Sequence, residues 1–268
     1  MLLSINYSPA AAELLTAGHI RLDYFKAPDW HDLVAEARLL RPVAVHFSLQ
    51  AGSGRLHQTD WGLVDRLLAE TGTPFVNLHL ESNAADYPGV PADTTELSEV
   101  RRIIDALHQD VWTVVQRYGA QRVIAENAPY KAQWGTFLRP AVEPQVISQL
   151  LDETGCGLLL DLSHARISAH YLGMDEQEYI GQLPVRRIKE MHFAGIHLLD
   201  GQLCDHLSIL ETDWLALEWA LERIRLGDWA PPWMLAFEYG GVGDHFAWRT
   251  DPSVIAGQTP RLYEMVHR

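Results

Sequence analysis

Short apolar runs alternate along the whole chain with longer stretches of three- and four-residue hydrophobic spacing. The runs LLSINY (2–7), IRLDYF (20–25), VAVHFS (43–48), FVNLHL (75–80), RVIAEN (122–127), GLLLDL (157–162), IKEMHF (188–193) and MLAFEY (234–239) read as eight strands. Between them, Val100, Ile103, Ile104, Leu107, Val111, Val114, Val115 and Tyr118 make one apolar stripe. That stripe predicts a helix over 96–118, stopped by Gly119. Trp214, Leu217, Leu221 and Ile224 repeat the pattern behind an N-cap expected at Asp213. Alternating strands and helices predict parallel βα units, and eight of them close most simply into a (β/α)8 TIM barrel. An open doubly wound sheet is the rival, but no GxGxxG follows the first strand. With no repeat, low-complexity segment or linker, residues 1–268 are expected to form one TIM-barrel domain.

The strands share a second pattern, at their ends. The third carries His46, the fourth His79, the fifth Glu126, the sixth Asp161, the seventh His192 and the eighth Glu238. Barrels build their active sites at the C-terminal ends of the strands, so these six side chains are expected to converge on one mouth. Carboxylates crowded there repel one another and take up protons unless cations intervene. Imidazole nitrogen and carboxylate oxygen suit iron, manganese or zinc. A lone strand-end histidine is ordinarily a hydrogen-bonded core residue, and a lone acid ordinarily a helix cap. Six such residues at the same end of six strands point instead to a metal centre.

Other residues join this set less directly. His164 is open to three roles: metal ligand, support for Asp161, or cap of the next helix. Asn127 is a substrate-binding or supporting amide. The loop GIHLLDGQLCDHL adds His197, Asp205 and His206, and both members of the Asp205–His206 pair can bind one ion only if the backbone bends, because extended neighbours point apart. Lys131 and Arg166 are candidate contacts for an anionic group or ordinary surface cations, and His170 reads as a loop residue. The glycine-rich EYGGVGDHF around His245 reads as a flexible loop over the mouth.

Composition narrows the partners. The net charge of -14 opposes a phosphate backbone, which argues against nucleic acid. No apolar run approaches the ~18 residues of a membrane helix, and the N-terminus lacks a basic segment before an apolar one. A cytoplasmic protein without a membrane partner is the expectation. The two cysteines, Cys156 and Cys204, are too few for a disulfide framework or a thiolate zinc site.

The segment GLLLDLSHARISAHYLGMDEQEYIGQLPVRRIKEMHFAGIH resembles the central signature of the multinuclear iron-dependent oxidase family of methanobactin-type biosynthesis. Ala125-Glu126-Asn127, the Asp205–His206 loop and Phe237-Glu238 extend the resemblance. It implies a xylose-isomerase-like barrel in which His46, His79, Glu126, Asp161, His192, Asp205, His206 and Glu238 hold two or three iron ions. The family commonly has Asn where this chain has His164. The implied substrate is a cysteine-bearing peptide or other small thiol, often presented by a partner protein, with oxidation of the carbon beside sulfur. The alternative rests on Glu126, Asp161, His192 and Glu238 alone, which also match the metal set of xylose-isomerase-like sugar isomerases and epimerases. There a single manganese, magnesium or zinc ion works with those four residues as the catalytic group.

Overall fold

A computed structural model describes residues 1–244 and 246–268, without the side chain of Gln133. Its main sheet contains, among the described residues, nine parallel strands: β1 (Leu2–Asn6), β2 (Tyr24–Pro28), β3 (Val43–His46), β4 (Gln50–Ala51), β5 (Val76–Leu80), β6 (Val123–Asn127), β7 (Gly157–Asp161), β8 (Ile188–Phe193) and, after a hairpin, β11 (Met234–Phe237). They are ordered β3-β2-β1-β11-β8-β7-β6-β5-β4. The two outermost, β3 and β4, are consecutive in the chain, so one interrupted strand closes the barrel.

Its first half pairs with β2 and its second half with β5. At this seam side chains stand in for much of the ladder, which keeps one backbone bond from His79 N to Leu49 O at 2.9 Å. Val45 N donates to Thr73 Oγ1 at 3.0 Å, and the buried Asn77 amide accepts from Phe47 N at 2.8 Å and donates to Phe47 O at 3.1 Å. A buried peptide group without such a partner is costly, and these contacts satisfy it.

The eight expected strands are therefore present, with corrections at two of them. The second lies at 24–28, not 20–25. Asp23 fixes the start: its carboxylate accepts from Leu3 N at 2.7 Å and its own N–H donates to Leu3 O at 2.9 Å. The shift makes Lys26 a mid-strand residue. The third strand stops at His46 and resumes at Gln50.

The barrel is wrapped by helices whose apolar stripes face the sheet. The longest, α4 (Leu97–Tyr118), buries Ile103, Leu107, Val111 and Val114 and ends at Gly119, as its spacing predicts. In α8 (Glu211–Arg225) the N-cap is Leu210, not Asp213. Asp213 sits one turn in, where its carboxylate accepts from Leu210 N at 2.7 Å. No helix among the described residues is long and apolar enough to cross a membrane.

The segment after β8, expected as a loop, is a two-stranded antiparallel hairpin, β9 (Gly195–Leu199) and β10 (Gln202–Leu207). Asp200 and Gly201 form its turn with φ of 50° and 80°, the left-handed pair that a tight hairpin needs.

Candidate metal centre

The strand ends converge as their positions predict. Register pairs His79 with Glu126 on neighbouring β5 and β6, and Asp161 with His192 on β7 and β8. Glu126 lies at the middle of the cluster. Its Oε2 is 3.1 Å from His46 Nε2 and 3.2 Å from His79 Nε2. Its Oε1 is 3.6 Å from His164 Nδ1 and 3.7 Å from His192 Nδ1. Glu238 follows the end of β11, with Oε1 3.0 Å from His192 Nδ1 and 3.6 Å from His46 Nδ1.

Asp161 ends the apolar strand β7 and caps the helix that follows, α6 (Leu162–Leu172), accepting from His164 N at 2.7 Å. The cap is therefore Asp161 Oδ1 and not His164, which supplies the capped N–H. Its ring turns into the centre instead, with Nε2 2.9 Å from Asp205 Oδ2 and 3.6 Å from Asp161 Oδ2.

The bend required at Asp205–His206 is present. His206 has a φ of 57°, and the hairpin register shifts between Cys204 and Leu207. A left-handed residue at this bulge cancels the strand alternation and turns both side chains to one side.

Three groups of side chains thus bring potential ligand atoms within 4.8 Å of one another: His46, Glu126 and His192; His164, Asp205 and His206; and Glu126, Asp161, His192 and Glu238. These groups contain every expected ligand except His79, which touches Glu126. The buried atoms Glu126 Oε1, His192 Nδ1 and Asp205 Oδ2 make no well-aligned hydrogen bond among the described residues, although Asp205 Oδ2 lies 2.9 Å from His164 Nε2 and His192 Nδ1 3.0 Å from Glu238 Oε1. Buried polar atoms are rarely left so. A donor set of imidazole nitrogens and carboxylate oxygens with orphaned lone pairs fits divalent cations.

Electrostatics agree. Burial pushes Asp161 up to about 6. At Glu126 burial is outweighed by His79, His192 and His46, which hold the carboxyl well below its usual range. Burial also opposes charge on the rings. It prevails at His46, which is lowered, but Asp161 and Asp205 overcome it at His164, and Glu238 at His192, both raised well above the ordinary value. The four carboxylates here are balanced chiefly by imidazoles, with the Lys131 ammonium adding to the balance at Asp205, and bound cations would relieve the crowding.

The rings are oriented from outside. Nδ1 of His79 is 3.2 Å from Leu49 O, that of His164 2.9 Å from Asn127 O, and that of His206 2.9 Å from Glu238 O. Each carbonyl demands a proton on Nδ1, which leaves the Nε2 lone pair for the centre. Asn127 serves the same scaffold. It is fully buried, and its amide donates to Asp161 O at 2.9 Å and accepts from Asp161 N at 3.0 Å. The substrate-binding expectation for Asn127 is corrected to a supporting one, since both ends of the amide are occupied.

Other candidates fall elsewhere. His197 Nε2 donates to Ser208 O at 2.7 Å across the hairpin. Arg166 is tied to Asp213 at 2.6 Å and Glu176 at 2.8 Å, so it is not free for an anion. His170 lies in the last turn of α6, not in a loop. His245 lies outside the described residues, although Gly240, Gly241, Val242 and Phe246 around it line the mouth. The cavity above the cluster has a volume of about 330 Å³, with Tyr7, Trp30, Phe137 and Phe246 among its walls.

Sequence reasoning missed Lys26 and Glu190, which lie beneath the cluster. The signal for Glu190 was its spacing: two residues from His192 on one strand means the same face.

Solved structures similar to the chain include a D-tagatose 3-epimerase-like protein (TM-score 0.59, 13% identity, 99% of this chain and 98% of that one). Another is a 3-keto-D-glucoside 4-epimerase from E. coli (TM-score 0.58, 12% identity, 98% and 99%). At such identity the likeness establishes the fold, a xylose-isomerase-like TIM barrel. Among curated proteins, a UPF0276 protein of Rhizorhabdus wittichii is 33% identical over 172 residues, 61% of this chain and 58% of its own length. A UPF0276 protein of Caulobacter vibrioides is 31% identical over 169 residues, 58% and 54% respectively. The matched part thus spans little more than half of these relatives. Residues 24–226 match the sequence model of the RiPP precursor modification enzymes MbnB/TglH/ChrH, and the chain belongs to that family of enzymes.

Proposed function

We propose that the protein is an iron-dependent oxidase that holds two or three iron ions and acts on a cysteine-bearing peptide or other small thiol. The observation that carries this reading is the overlap of the three ligand groups, two of which share Glu126 and His192 while the third stands apart on His164, Asp205 and His206. That is more donors than a single four- to six-coordinate ion takes. His46, His79 and Glu126 would hold one ion, Asp161, His192 and Glu238 a second, and His164, Asp205 and His206 a third. When bound, iron supplies the one-electron redox chemistry that oxidation beside a thiol by dioxygen requires.

The chain's own residues provide the rest. Two carboxylate oxygens of Glu126 face different ring pairs and so tie two parts of the centre together. Backbone carbonyls commit three rings to one tautomer each. The aromatic walls around the mouth exclude water and receive the apolar parts of a peptide, while the acidic floor disfavours an anionic sulfur until cations balance it. A partner protein that presents the peptide belongs to this proposal.

A second reading is favoured by one observation. Glu126, Asp161, His192 and Glu238 form a complete group of four on a barrel shared with sugar epimerases. One manganese or magnesium ion would then serve a ketose, with a carboxylate moving the proton. Metal content and oxygen uptake after anaerobic purification separate the two. Two or more irons per chain, with dioxygen consumed on adding a cysteine peptide, supports the oxidase. One manganese or magnesium per chain, no oxygen uptake and ketose epimerisation would replace it.

A further inference from the structure

Behind His192 lies a charged pair that no ligand group includes. Glu190 precedes His192 by two residues on β8, so strand alternation puts both on one face. Its Oε1 accepts from His192 Nε2 at 2.8 Å. The same carboxylate meets the ammonium of Lys26, which reaches it from β2 across the barrel interior, and its Oε2 accepts from Trp233 Nε1 at 3.2 Å. Lys26 and Glu190 are each 2% exposed and His192 is fully buried. Lys26 also lines the floor of the cavity, but its ammonium is engaged with Glu190.

This arrangement inverts that of the other rings. His79, His164 and His206 bond a neutral carbonyl through Nδ1 and present Nε2. His192 bonds a carboxylate through Nε2 and presents Nδ1, which lies 3.0 Å from Glu238 Oε1 but makes no well-aligned hydrogen bond among the described residues. An ionised acceptor binds a ring N–H more strongly than a carbonyl does. It fixes the tautomer and makes the opposite nitrogen a better donor to a cation. A carboxylate buried alone would be costly, and Lys26 offsets that cost.

We propose that Lys26 and Glu190 are positioning residues: the pair holds His192 with its proton on Nε2, so that the Nδ1 lone pair is committed to the ion held with Glu126, Asp161 and Glu238. The proposal rests on the metal-centre reading above and extends it to two residues that touch no ion.

Two measurements test it. In the zinc-saturated protein with labelled histidine, long-range ¹H–¹⁵N correlation reads the protonated nitrogen of His192. The proton is expected on Nε2 in the wild type and in Lys26→Met/Glu190→Gln, whose amide oxygen still accepts, and on Nδ1 or both nitrogens in the apolar double variant Lys26→Met/Glu190→Leu. The apolar double variant replaces the buried pair by apolar groups of similar size and so avoids stranding one charge. Zinc titration against a chromophoric chelator gives the second readout. The apolar double variant should lose about 10- to 100-fold in affinity at one site, and Lys26→Met/Glu190→Gln should recover most of it. A wild-type His192 protonated on Nδ1, or an apolar double variant with wild-type tautomer and zinc affinity, overturns the proposal. Zinc that binds nowhere in the wild type, with His192 still protonated on Nε2, would instead remove the metal-centre reading and leave only the tautomer assignment.

Discussion

Asp205 and His206 are neighbours in the chain and nevertheless face the same cluster, because His206 adopts a φ of 57°. Two extended residues in a row cannot do this. The hairpin uses a left-handed residue where a glycine or asparagine would be the relaxed choice.

That strain makes His206→Asn informative. Asparagine tolerates the left-handed conformation, so the metal-free variant should melt within about 2 °C of the wild type. The ring nitrogen is lost, and metal content should fall by about one ion per chain. Full metal content by elemental analysis would remove His206 from the ligand set.

Gly195 tests the same hairpin from its base. A Cβ there would run into the backbone carbonyl of Ser208, which cannot swing aside as a side chain can. Gly195→Ala should displace the hairpin and weaken the His164, Asp205 and His206 group by at least about 10-fold, while far-UV circular dichroism stays barrel-like. Unchanged zinc affinity in a chelator competition would contradict this.

Glu126→Ala removes the carboxylate at the centre of the cluster. It should abolish most metal binding and leave the fold largely intact, since the lost carboxylate hydrogen-bonds no backbone group among the described residues. Stoichiometric metal retained by this variant would count against the assignment of Glu126.

His108→Ala serves as the opposite case. His108 lies on the solvent side of α4, beside Trp112 and 3.5 Å from Glu153. Neither metal content nor activity should change, and a large loss of either would show that this face does more than meet water.

Alkaline stability gives a prediction independent of metal. Burial, and then the Glu36 carboxylate that the phenol bonds at 2.6 Å, push Tyr7 up to about 12 from the ordinary 10.0. A raised folded value means the contribution is complete below the unfolded value and is lost as pH rises from 10 toward 12. Urea unfolding should therefore show a smaller decline over that interval for Tyr7→Phe than for the wild type. Equal declines would show that Tyr7 does not set the alkaline limb.

Much of this centre was legible because two short-range rules determine it. Strand alternation and the shared polarity of a barrel bring His46, His79, Glu126, Asp161, His192 and Glu238 together whatever the loops do. The parts that were not legible depend on contacts distant in sequence. IRLDYF alternates well enough to be a strand, and only the tie between Asp23 and Leu3 moves the register to Lys26. Lys26 in turn has meaning only beside Glu190, 164 residues away. The hairpin had a local signal in Asp200-Gly201 between alternating residues, but nothing local gives the left-handed turn at His206.

The interrupted third strand has a mechanical consequence. His46 stands on one margin of the gap and His79 on the other, and their rings meet at one oxygen of Glu126. An ion seated there would act as a clasp across a joint where amide and hydroxyl side chains stand in for much of the peptide ladder. Loading the enzyme and fastening its wall are then one event, and the unclasped seam is where amide exchange should first betray an empty centre.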